Sequence, residues 1–112
     1  MEEELINNIN TFLKSAELVY QSKDYTSATM LYFKTLFVAL DLLILRKLKK
    51  TPKDHTERFR ILKAEFPEEY SSLDKYFSVY RSTYSTTVDK DTCEEIRQYV
   101  NKTIKEKLGI WK

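Results

Sequence analysis

The residues able to do chemistry are few and lie in three places. His55 is the only histidine, set in Asp54-His55-Thr56-Glu57. A catalytic pair of histidines or a histidine-rich metal cluster therefore cannot form within one chain, although a symmetric dimer could supply two. Beside Asp54 at a helix start, His55 reads as a capping or surface residue, with catalysis the sharper alternative. Upstream, Arg46, Lys47, Lys49, Lys50 and Lys53 put five cations within eight positions. Positive charge complements the carbonyl end of a helix at about 0.3–1 kcal/mol per site, and the surplus makes this cluster a candidate for contacting phosphate. Downstream, Arg81 and Tyr84 combine a guanidinium fork for phosphate with a ring for stacking. The single cysteine, Cys93, can form no internal disulfide and reads as a packing residue, which favours a reducing, cytoplasmic setting. No Gly-rich phosphate loop and no local nucleophile-and-base arrangement is present, so neither cofactor nor metal is expected.

Asp41 poses a separate question. Its neighbours three and four residues away are Phe37, Val38, Ile44 and Leu45, none able to pair with it. It either faces water, on a narrow stripe shared with Ser27 and Lys34 at spacings of seven, or is buried against a cation from another helix. Arg81 is the partner expected in the second case.

The elements that must position these groups follow from periodicity. In 112 residues with one Gly, two Pro and a formal charge of +2, turn chemistry for hairpins is scarce and a single all-α domain, 1–112, is expected. The organising stretch is Tyr25–Leu48, apolar on nearly every side, which must be surrounded by the other segments. Lys34 and Asp41 interrupt it, which argues against a membrane span, and Met1-Glu2-Glu3-Glu4 offers no basic leader. Leu5, Ile9, Phe12, Ala16 and Val19 place a first amphipathic helix over Glu2–Gln21, hinged at Ser22-Lys23-Asp24. A short third helix spans His55 to about Glu65, with Phe59 and Leu62 inward, Ile61 and Phe66 as further candidates, and Arg58, Arg60 and Lys63 facing elsewhere. A fourth runs from Glu68 to about Tyr84 on an aromatic stripe of Tyr70, Phe77, Tyr80 and Tyr84. A fifth, capped within Asp91-Thr92-Cys93-Glu94, turns Ile96, Val100, Ile104 and Leu108 inward and stops at Gly109, with Ile110 and Trp111 folding back. Ala16, Tyr20, Asp24-Tyr25, Ala28 and Tyr32 look like one tetratricopeptide unit, a scaffold for gripping another protein's helix, but nothing downstream repeats it.

The order of these features resembles the HEPN domains (higher eukaryotes and prokaryotes nucleotide-binding). It is carried by the long apolar second helix, the basic loop into Asp54-His55-Thr56, Leu62, Leu73 to Tyr76, Arg81 to Tyr84, a polar loop and a closing amphipathic helix, roughly Leu5 to Leu108. The resemblance implies an up-and-down bundle of four main helices plus one short helix, commonly a homodimer. It further implies a module that binds nucleotide or RNA or docks a small nucleotidyltransferase, with ribonuclease relatives in toxin–antitoxin systems. Those nucleases carry an Arg followed after a short spacer by His. Here Arg81 is followed by Ser82-Thr83-Tyr84-Ser85-Thr86-Thr87-Val88 with no His, and Arg46 precedes His55 across eight intervening residues and a Pro loop. Arg81 and Tyr84 resemble the Arg-Tyr of the non-nuclease members, adjacent there and separated here. The expectation is a non-catalytic, self-associating binding module, with a divergent metal-independent ribonuclease using His55 and Arg81 as the alternative.

Overall fold

A computed structural model describes residues 1–109. The chain is an all-α bundle, 83% helical, with five helices and no strand among the described residues. In order these are α1 (Glu2–Gln21), α2 (Tyr25–Leu48), α3 (His55–Glu65), α4 (Pro67–Ser82) and α5 (Lys90–Thr103), the last continued by one π-helical turn, Ile104–Leu108. The π turn ends at Gly109, which takes φ +68° and donates its backbone N–H to the carbonyl of Ile104. A left-handed stop of this kind suits glycine because it has no Cβ. The expected fold-back of Ile110 and Trp111 lies outside the described residues.

α2 is the axis. Ala28, Tyr32, Phe33, Leu36, Ala39, Leu40, Leu42 and Ile44 are fully buried and cover more than half of the helix circumference, leaving a more open stripe along Ser27, Leu31, Lys34 and Asp41. By length and composition α2 could also cross a membrane, but 61% of its most apolar window is buried against the rest of the chain. Ile9, Leu13 and Ala16 of α1, Leu73 of α4, and Cys93, Ile96 and Val100 of α5 close over it. Directions follow from the contacts. Val88 bonds Thr26 and Arg46 bonds the carbonyl of Leu108, so α5 runs parallel to α2. Phe33 and Phe37 meet Tyr80 and Phe77, so α4 runs antiparallel to it. α1, α2, α4 and α5 therefore alternate in direction.

The α1–α5 seam is polar. Arg97 grips Glu17 with two bonds of 2.9 Å and reaches Glu94, while Tyr32 and Tyr20 donate hydroxyls to Glu17 and Glu94. Arg97 holds the Glu17 carboxyl below the usual carboxylate range, against the opposing effect of partial burial.

Two boundaries differ from the sequence expectation. α5 begins at Lys90, capped by Asp89, whose carboxylate accepts from the Thr92 amide at 2.8 Å. The Asp91-Thr92-Cys93-Glu94 run therefore lies inside the first turn, because Asp89 supplies the acceptor one step earlier. Asp89→Ala should cost about 1 kcal/mol of stability, read as a lowered denaturant midpoint, whereas Asp91→Ala should change little. α4 ends at Ser82 rather than Tyr84: the hydroxyls of Ser82, Thr83 and Thr86 bond back to the carbonyls of Val79, Tyr80 and Ser82 at 2.7, 2.6 and 2.9 Å. Side chains that satisfy nearby carbonyls in this way compete with further helix.

Candidate functional site

The polar positions of α2 define one working face. Asp41, at its far end, is held by Arg58 of α3, with Nε donating to Oδ1 at 2.7 Å and Nη2 to Oδ2 at 3.0 Å. The two side chains are 15% and 10% exposed, so the pair is close to dry and doubly bonded. Asp41's partner is thus Arg58 and not Arg81, and Arg58 does not face elsewhere. In α3 it lies three and four residues before the buried Ile61 and Leu62, and shares their side of the helix. Its guanidinium also lies over Phe37, 5.1 Å from the ring centre.

His55 completes the chain of contacts. Its Nδ1 is 2.6 Å from Nη1 of Arg58. A guanidinium can only donate, so Nδ1 must accept, and the imidazole is neutral with its proton on Nε2. The ring also sits edge-on to Phe37 at 4.7 Å, and lies 5.9 Å from Phe77 and 6.0 Å from Tyr80. Partial burial, and next the charge of Arg58, push its pKa down from 6.5. With its one free lone pair engaged, His55 presents an N–H donor to solvent, not a base. α3 itself starts from a cap in which Asp54 accepts from the Glu57 amide at 2.8 Å and Glu57 accepts from the Lys53 amide at 2.8 Å.

Tyr80 links this cluster to an open groove of about 250 Å³, lined by Ser27, Met30, Leu31 and Lys34 of α2 and by Tyr80 and Tyr84. No carboxylate lines it. Tyr84 stands in the turn after α4, 69% exposed, its hydroxyl 3.0 Å from that of Tyr80. That bond, with partial burial, raises the Tyr80 phenol pKa. Arg81 is exposed, its guanidinium 5.8 Å from the Phe77 ring centre. Tyr84 lies just past the end of α4 at Ser82, its backbone N–H bonded to the Arg81 carbonyl at 3.3 Å.

The basic cluster is divided. Arg46 is spent on the carbonyl of Leu108 at 2.9 Å and on Glu2 at 3.0 Å. Lys47 pairs with Glu65 at 3.3 Å, and the Lys49 ammonium caps the carbonyl of Arg46 at 3.2 Å. These three hold helix ends. Lys50 and Lys53 are exposed, and among the described residues neither side chain has an ion partner. Cys93 is fully buried, and partial desolvation raises its thiol pKa. No group of three or more His, Cys, Asp or Glu able to hold a metal ion occurs among the described residues.

The structure therefore joins Asp41 to His55 through Arg58 and puts Tyr84 and Lys34 in the lining of one groove; the Arg81 side chain is outside that lining, and Arg46 and Lys49 are engaged at helix ends. Sequence reasoning passed over Arg58, Tyr80, Met30 and Lys34 as site residues. Lys34 had the clearest signal, as the one cation on an otherwise apolar stretch of α2. Comparison with family models, with curated proteins and with solved structures gives no match.

Proposed function

We propose that this chain is a non-catalytic, HEPN-like module that self-associates and binds nucleotide or RNA, seating a base and its phosphate in the groove between α2 and the end of α4. The observation that carries this reading is that the 69%-exposed Tyr84 and Lys34 line one groove with Met30 and Leu31, with no lining carboxylate among the described residues to repel an anion. An exposed ring is a sequence-tolerant stacking platform, and one cation beside it selects for phosphate. Arg81, Lys50 and Lys53 would add phosphate contacts outside the groove. A nucleotidyltransferase docked on the same face is the partner the family resemblance implies. The capture of His55 Nδ1 by Arg58 favours binding over the ribonuclease alternative, because a metal-independent cleavage needs a free base.

Titration with adenosine monophosphate and with a short oligouridylate tests the reading. Tyr84→Ala and Lys34→Ala should each weaken binding by about tenfold, within the range that one lost stacking or phosphate contact produces, without loss of helicity. Binding that neither substitution changes would remove the groove as the seat. Cleavage of the oligouridylate abolished by His55→Ala would instead establish the nuclease.

A further inference from the structure

Asp41 ties α2 to Arg58 of α3, and within the first turn of α3 Arg58 bonds His55 through a contact that only one protonation state of His55 allows. Across the 2.6 Å contact Arg58 must donate and Nδ1 must accept. A proton on Nδ1 removes the acceptor and sets imidazolium against guanidinium. Arg58 has no freedom to retreat, because Nε and Nη2 are held by Asp41 at 2.7 and 3.0 Å and its plane lies over Phe37. The imidazole has to move, and it is the imidazole that touches Phe37, Phe77 and Tyr80. The charged and titratable groups facing it are Asp41 from α2, Arg58 and Asp54 from α3, and Tyr80 from α4. The two carboxylates favour the proton; partial burial and Arg58 oppose it and prevail.

We infer that His55 is a proton-operated latch: neutral, it is held by Arg58 with its ring against Phe37 of α2 and Phe77 and Tyr80 of α4, and protonated it leaves that seat, loosening the start of α3 and one wall of the groove. The consequence for ligand rests on the reading under Proposed function; the latch itself does not. The sign follows from linkage. The folded chain prefers the neutral imidazole, so the unfolded chain takes up the proton more readily. The stabilisation is complete above pH 6.5 and is lost as pH falls through and below that value.

Amide hydrogen exchange on the full chain at pH 7.5 and 5.5, corrected for intrinsic rates, reads the latch directly. Exchange across residues 55–65 and 80–84 should rise several-fold at the lower pH relative to the buried amides of α2. In His55→Gln, whose amide oxygen can accept from Arg58 without titrating, that difference should vanish. A wild-type chain with no such local change, or a His55→Gln chain that keeps all of it, overturns the latch. Should His55→Gln fail to fold, the wild-type titration decides: the chain's one imidazole signal must have its midpoint below 6.5, and a midpoint at or above it refutes the inference. An oligouridylate without a terminal phosphate, which does not itself titrate here, should bind several-fold more weakly at pH 5.5 in wild type only. If it binds at neither pH while the exchange difference persists, the ligand assignment fails and the latch stands.

Discussion

Replacing Leu36 by Ala should lower the stability of the folded chain by about 2–5 kcal/mol, read as a shift of the denaturant midpoint with little change in slope. Leu36 is fully buried in the middle of α2, where the core reaches it from several sides, so the lost methyl groups leave a cavity that no single neighbour can collapse into. The matching control is Leu43→Ala on the same helix. Leu43 is only partly buried, and its loss should cost about half as much, because water already reaches the site. Equal costs at the two positions would mean that Leu36 is no better enclosed than Leu43. On a scale where a whole domain of this size retains some 5–15 kcal/mol, the Leu36 change consumes a large fraction of the margin.

Arg58→Ala should cost about 3 kcal/mol, more than any exposed ion pair in the chain, because it strands the Asp41 carboxylate at 15% exposure without its two donors. The exposed Arg60–Glu57 pair is the contrast: Arg60→Ala should cost well under 1 kcal/mol. The stranded charge can be removed in turn. Arg58→Met combined with Asp41→Leu should recover most of the loss, since a dry ion pair replaced by apolar side chains of similar size is close to neutral. A double variant as unstable as Arg58→Ala would show that the pair supplies net stability rather than only avoiding a penalty. Thermal melts of the three variants distinguish these outcomes.

The central helix was legible because its signal is redundant: apolar residues on nearly every side of Tyr25–Leu48 call for cover, and its start, like that of α3, follows from a capping Asp in the sequence. Asp24 accepts from Ser27 and Asp54 from Glu57 in the manner their spacing implies. The end of α4 was legible in composition rather than in period, in the Ser/Thr-rich run Ser82 to Thr87. Tyr80 and Tyr84 keep helical spacing, but the hydroxyls of Ser82, Thr83 and Thr86 turn the carbonyls away from further helix, a local competition that periodicity does not register. The partner of Asp41 differs from the expectation because Arg58 does not share the outer side of α3 with Arg60 and Lys63; Phe59 and Leu62 do face inward, Phe59 packing on Tyr70 and Phe77. Ile61 is buried beside them, and Arg58, three residues before it, comes inward on the same side.

The seven-residue spacing of Ser27, Lys34 and Asp41 carried more than it seemed to. All three serve one face, two at the groove and one as the anchor of Arg58 and His55. The basic run from Arg46 to Lys53 carried less, since three of its five cations are occupied with helix ends and backbone carbonyls. A charge cluster in sequence does not say how many charges remain for a ligand.

The most direct test of the binding account is a two-dimensional amide NMR titration of the wild-type chain with oligouridylate at pH 7.5. The account predicts saturable shifts concentrated at residues 27–34 and 80–84, with smaller ones at Lys50 and Lys53. An absence of shifts, or shifts confined to residues 46–53, would contradict it.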